Sequence, residues 1–332
     1  MTNAGSTTTQ IRPVPVSASI PSRLAAMVTS VTLRPLTSAL PLNARGVWAS
    51  RQLIAGFMST LGPPLRGTKV VQVRSGAVRG EWVAAPGVEF GDRAVYYIHG
   101  SGYVICSART HRGLASRLSR ATGLPVFLTD YRLAPEHPFP AAADDIEAGY
   151  RWLLERGFLA SDLVVAGDSA GGHLALDLMI ENVRTATPQP AACVMFSPLV
   201  DLSFRLSADQ ERVRPDPMIT AQGARELVAL YTAGHDAEHT RLTLKLPAGS
   251  NLPPILVQAG EVEMLSADAR YLQQTVRAAG GSCDLEIWPG QMHVFQALSL
   301  LVPEANHAVA RAAHFITTSL EQTATLTERR VS

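Results

Sequence analysis

A serine flanked by glycines is the first chemically suggestive feature of the chain. Gly167-Asp168-Ser169-Ala170-Gly171-Gly172 has the G-x-S-x-G form, with the apolar run Leu163-Val164-Val165-Ala166 before it and the helical pattern His173 to Met179 after it. A sharp strand-to-helix turn of this kind exposes the central hydroxyl. It needs glycines around it because Cβ atoms there would meet the neighbouring strand and helix. The following helix would direct its first N–H groups at an anion forming beside Ser169. A serine alcohol is a poor nucleophile at neutral pH, so the reading requires a base within hydrogen-bond reach and an acid to orient that base.

In a chain that orders its catalytic residues Ser, acid, His, both partners follow Ser169. Of the later histidines, only His293 lies in a loop directly after a strand pattern, in Trp288-Pro289-Gly290-Gln291-Met292-His293. His235 and His239 fall in a charged stretch that reads as solvated surface, and His307 and His314 fall on the last helix. Three carboxylates follow the strand pattern Ile255 to Ala259: Glu261, Glu263 and Asp268. Ser266 reads as the cap of a helix with Asp268 in its first turn, a placement suited to the helix dipole. Residue type alone does not choose between Glu261 and Glu263.

Stabilising a tetrahedral oxyanion requires N–H groups from the residue after the nucleophile and from a loop after an early strand. Ala170 supplies the first. The turn His99-Gly100-Ser101-Gly102-Tyr103 ends the buried-strand pattern Ala94 to Ile98, and supplies Gly100, Ser101 and Gly102 for the second.

The elements that must position these groups alternate between strand and helix, which predicts a mainly parallel sheet with helices on both faces. Strand patterns begin near Val70 and recur at residues 94–98, 126–128, 163–166, 193–196, 255–258 and 284–288, with helical stretches at 110–122 and 141–156. Residues 1–22, rich in Ser, Thr and Pro, read as a flexible tail. Residues 23–65 read as cap helices that pack over the sheet, with Leu24, Met27, Val28 and Val31 at helical spacing. Residues 66–320 form the catalytic domain, with a cap insertion at about 201–250 containing one clear helix from Ala221, and residues 321–332 read as a second tail.

The formal net charge of +1 and the scattered basic residues give no footprint for nucleic acid or an anionic membrane. Cys106, Cys193 and Cys283 are too few and too far apart for a disulfide framework or a zinc site. No basic-then-apolar leader and no membrane-length apolar run is present, so the expected location is the cytoplasm. A homodimer is left open.

Four stretches carry a family resemblance. His99 to Tyr103, the run Asp130 to Ala142 (DYRLAPEHPFPAA), Gly167 to Gly172 and Asp216-Pro217-Met218 resemble, in order and spacing, the hormone-sensitive-lipase-like esterases. The resemblance covers roughly residues 65 to 315. It implies an α/β-hydrolase fold, a cap over the pocket, no cofactor, no metal, and a small-molecule carboxylic ester as substrate with a short to medium acyl chain. It also implies the acid: Glu263-Met264-Leu265 matches the family's D-P-L stretch, thirty residues before His293, with Glu in place of Asp. Ser101 stands where the family more often has glycine. Its hydroxyl would either hydrogen-bond a substrate oxygen or narrow the pocket. Arg132 and Glu136 are expected to pair and brace the loop beneath His99, and Asp168 to fix the turn at Ser169. Acetyl-ester, amide and lactone hydrolysis use the same groups, and a non-catalytic receptor would have lost one of Ser169, Glu263 or His293.

Overall fold

The computed structural model describes residues 12–39, 41–236, 238–246 and 249–331. Three helices come first: α1 (Ile20–Val31), α2 (Leu33–Ala39) and α3 (Ala44–Leu61). The hairpin β1 (Lys69–Ser75) and β2 (Val78–Ala84) follows, then β3 (Ala94–Ile98), α4 (Ala108–Thr122), β4 (Val126–Thr129), α5 (Ala141–Glu155), β5 (Leu163–Asp168), α6 (Ala170–Arg184) and β6 (Ala192–Phe196). An insertion holds α7 (Arg205–Val213), α8 (Ala221–Thr232) and the single turn α9 (Thr240–Thr243). The chain closes with β7 (Ile255–Gly260), α10 (Ser266–Ala278), β8 (Cys283–Trp288) and α11 (Pro303–Val331).

The eight strands form one sheet in the order β1-β2-β4-β3-β5-β6-β7-β8. The pairs β1/β2 and β2/β4 are antiparallel, and every other pair is parallel. This is an α/β-hydrolase fold. Central strands β3, β5, β6 and β7 are buried along their whole length, which is why they read as continuous apolar runs. One face is covered by α4 and α11, through Leu114, Leu118, Val309 and Ile316. The other is covered by α5, α6 and α10, through Ile146, Leu153, Leu174 and Leu272. Because β3, β5, β6, β7 and β8 run parallel, the loops after them emerge at one edge. Ser169, Ser197, Glu263 and His293 all lie in those loops.

Four features differ from the sequence reading. Helix α1 starts at Ile20, inside the stretch expected to be tail, because Ser19 caps it and both Ser19 and Ser22 bond the Glu304 carboxylate on α11. At the other end, the backbone of α11 stays helical through Val331, so residues 321–331 are not a separate tail. The cap insertion carries α7 and α9 besides the expected helix. Finally, Leu24, Met27, Val28 and Val31 are exposed, not packed inward.

Candidate active site

The turn between β5 and α6 places Ser169 at φ 51° and ψ −120°, outside the regions an L-residue ordinarily occupies. Backbone bonds hold it there: the Ser169 N–H donates to Phe196 O at 2.9 Å, and the Ser169 carbonyl accepts from Leu199 N at 3.0 Å. Beneath it, the buried Asp168 carboxylate accepts from the Tyr97 hydroxyl at 2.9 Å and lies 3.2 Å from His111 Nε2. Burial pushes the acidity of Asp168 toward the neutral form, but the His111 charge and these hydrogen bonds outweigh it and leave the pKa lowered. Asp168 therefore stays an anion that clamps the turn.

His293 follows β8, and its Nδ1 lies 2.6 Å from Glu263 Oε2. Glu263 is fully buried in the loop after β7, where its other oxygen accepts from Gly260 N–H at 2.6 Å and Ser197 Oγ–H at 2.8 Å. The same Ser197 oxygen accepts from Val294 N–H at 3.0 Å, so one hydroxyl ties the acid loop to the histidine loop. Burial works to lower the His293 pKa. The hydrogen bond and charge of Glu263, with smaller help from Asp216 and Asp168, reverse that and leave it above the usual imidazole value of 6.5.

The two rival carboxylates serve elsewhere. Glu261 is part-exposed, accepts from Gly290 N–H at 2.9 Å and pairs with Arg214. Asp268 is buried and accepts from Val200 N–H, Asp201 N–H and the Ser207 hydroxyl, fixing the loop after β6. Its first-turn position is thus a brace across loops and not chiefly a dipole contact. The residue preceding α10 is Leu265; Ser266 is already helical and donates its hydroxyl to Glu263 O.

The loop after β3 lies against Ser169. A Cβ at Gly100 would collide with the Asp168 carboxylate and the Ser169 Cβ, and Gly102 adopts φ 61° with Leu227 against it. Ser101 is also left-handed, at φ 71°, and its hydroxyl lies 2.8 Å from the Cys106 thiol, so that oxygen already has a partner. Burial pushes the thiol up to about 11. The N–H groups of Gly102 and Ala170 donate to no other group among the described residues. His99 is buried, stacks on Tyr131 at 4.2 Å between ring centres and is held neutral by burial, its pKa lowered to about 3.

The expected Arg132–Glu136 pair does not form. Arg132 makes a two-pronged pair with Asp145, and Glu136 pairs with Arg51 of α3. The segment is not helical, so the four-residue spacing does not bring the two side chains together. Both actual pairs still brace the loop, one to α5 and the other to the N-terminal helices. Ser197 carried no recognisable signal in the sequence, and Asp216 was marked only by the family resemblance, with no role attached. Asp216 is buried and accepts from Met218, Ile219 and Met264 N–H, tying the cap insertion to the residue after Glu263. Burial pushes it up to about 6, against the pull of His293.

Ser101, Gly102, Asp168, Ser169 and His293 line one cavity of about 240 Å³. Its remaining wall is mainly apolar, from Leu53, Ile54, Phe57 and Met58 of α3 and from Leu227 and Val228 of α8. No group of His, Cys, Asp and Glu among the described residues is arranged to hold a metal, and no described helix is long and apolar enough to cross a membrane.

A pattern described as the alpha/beta hydrolase fold matches residues 95–297. The carboxylesterase/phospholipase LipF of Mycobacterium tuberculosis is 34% identical over 322 residues, covering 92% of this chain and 84% of its own. An acetyl-hydrolase of Streptomyces hygroscopicus is 36% identical over 247 residues, covering 74% and 82% respectively. The crystal structure of an esterase from the bacterial hormone-sensitive lipase family superposes with a TM-score of 0.82 at 33% identity, covering 91% of this chain and 99% of that one.

Proposed function

Because the chain belongs to the α/β-hydrolase family, in its hormone-sensitive-lipase-like branch of carboxylic ester hydrolases, we propose that it cleaves short- to medium-chain acyl esters through an acyl-enzyme on Ser169. The observation that carries this reading is the 2.6 Å contact between His293 Nδ1 and buried Glu263, in a cavity that Ser169 shares with His293.

In this mechanism Glu263 holds the imidazole so that Nε2 is free to take the Ser169 proton. The Ser169 oxygen attacks the ester carbonyl carbon, and the carbonyl electrons move onto oxygen. The N–H groups of Ala170 and of the Gly100-Ser101-Gly102 turn receive that oxyanion; losing one such donor typically costs on the order of 10²–10³ in rate. As the tetrahedral intermediate collapses, the C–O bond to the alcohol breaks and His293 returns its proton to the leaving oxygen. Water, deprotonated by the same imidazole, then attacks the acyl carbon, and Ser169 leaves reprotonated. The reaction consumes one water and needs no redox partner.

The apolar walls of the cavity suit an acyl chain, and the short to medium chains are the proposed substrates. Acetyl esters fit the same space, in keeping with the acetyl-hydrolase among the relatives. The test is p-nitrophenyl acetate and butyrate turnover by Ser169→Ala, checked for an intact fold by circular dichroism. Activity should fall at least about 10⁴-fold and labelling by a fluorophosphonate should vanish. A folded variant that still turned over substrate would remove Ser169 from the mechanism.

A further inference from the structure

Helix α1 is built inside out. Its large aliphatic side chains Ile20, Leu24, Met27, Val28 and Val31 are 51–72% exposed, whereas Ser22 and Thr29 are buried. At 100° per residue the five apolar side chains fall within an arc of about 100° on the outer face. The inner face carries small or polar residues: Ala25 and Ala26 pack on the cluster around Trp288 and Phe295, and Ser22 bonds Glu304. A helix placed only to cover the protein core would be oriented the other way round. Leu36 on α2 and Trp48 on α3 add two more exposed apolar side chains.

The charge along the sequence is one-sided as well, although Arg34, Arg51 and Lys69 pair with the later acids Glu211, Glu136 and Glu89. No Asp or Glu occurs before Glu81, yet nine Lys and Arg do, and all twenty-eight carboxylates come later. The whole-chain value of +1 conceals this asymmetry. Arg23, beside the apolar stripe, and Arg45, one turn before Trp48, are exposed and have no acidic partner among the described residues.

We propose that the outer face of α1, with its flanking arginines, docks the enzyme on an anionic lipid bilayer surface. An apolar stripe bordered by arginine, with no acidic residue in the helix, matches the acyl boundary and headgroups of such a surface. A second copy of this chain would bring two cationic regions together, so the charge favours lipid over self-association. Docking would also bring the cap to the source of apolar esters, since neighbouring α3 presents Phe57 and Met58 to the cavity. That last link rests on the proposed hydrolase function; the docking itself does not.

The test is co-sedimentation of the full chain, carrying Ser169→Ala so that binding is read apart from catalysis, with phosphatidylcholine vesicles containing or lacking phosphatidylglycerol. Binding should require the anionic lipid and weaken in high salt. Arg23→Gln with Arg45→Gln should weaken it roughly twenty-five-fold, at about fivefold per charge. Met27→Glu with Val31→Glu should abolish it and leave p-nitrophenyl butyrate turnover by the Ser169 enzyme unchanged, which reports an intact fold. No binding, or equal binding to neutral vesicles, would overturn the inference. So would a dimer, seen by sedimentation velocity, that the Met27 and Val31 substitutions dissociate.

Discussion

On one side of the cavity His293 is held through Glu263, Ser197 and the backbone of Gly260 and Val294, each contact within 3.0 Å. On the other side α3 and α8 offer aliphatic and aromatic carbon, from Leu53 and Phe57 to Leu227 and Val228. The polar side comes from loops fixed to the parallel sheet, where a displacement of one group breaks a hydrogen bond. The apolar side comes from helices outside the sheet, where contacts are non-directional and side chains of similar volume can replace one another. Substitutions on the two sides should therefore fail differently: the first in rate, the second in choice of substrate.

The largest effect is expected at Glu263. Glu263→Gln keeps the shape but removes the charge that, in the proposed mechanism, orients and stabilises the imidazolium, and kcat should fall by about 10³–10⁴. The pH profile separates this from simple disruption. His293 must be neutral to accept a proton, and Glu263 holds its pKa above 6.5, so wild-type activity should decline as pH falls through a value above that. Without Glu263 the raising contribution is lost while burial remains, and the acid limb of the residual activity should move to lower pH. An unmoved limb would separate Glu263 from the titrating group.

A smaller loss is expected at Ser197. Its hydroxyl donates to Glu263 and accepts from Val294 N–H, so Ser197→Ala takes the acceptor from the part-buried Val294 N–H and leaves that Glu263 oxygen with Gly260 N–H alone. It is a positioning residue, and kcat should fall about tenfold with KM little changed, alongside a shift of the same acid limb. An unshifted limb with a raised KM would indicate a merely structural role.

These two residues also mark where the sequence stops being legible. Ser169, Gly100 and Gly102 stand out because a tight turn writes its demands into adjacent positions: left-handed or crowded backbone selects glycine locally. Glu263 and His293 could be narrowed to the loops after β7 and β8 by strand pattern, since parallel strands bring their following loops to one edge. Ser197 had no such mark, because its partners lie 66 and 97 residues away and a serine after a strand is unremarkable. Arg132 and Glu136 misled for the opposite reason: a spacing that pairs side chains on a helix was applied to a loop. In α1, periodicity correctly indicated a helix, but a pattern of apolar positions states only that one face differs from the other. It does not state which face meets the protein.

The apolar side should respond last and most gently. Leu227 lies over the Gly102 turn, within the reach of a Cβ added there, and lines the cavity beside the proposed oxyanion donors. Leu227→Ala removes three carbons from that wall, and each methylene of a longer acyl chain that fills the space would gain about 0.8 kcal/mol, roughly fourfold. The ratio of kcat/KM for hexanoate over acetate esters should rise by about tenfold, less than the full gain because the wall relaxes into part of the cavity. Leu227→Phe should move the ratio the other way. Acetate turnover should stay within about threefold of wild type in both, since neither change touches Ser169, His293 or Glu263. If both variants left the ratio unmoved, the acyl chain would lie away from α8, and α3 with Phe57 and Met58 would become the wall that sets its length. If acetate turnover collapsed instead, the separation between a side that sets rate and a side that sets choice would fail at its nearest point, where Leu227 meets the oxyanion turn.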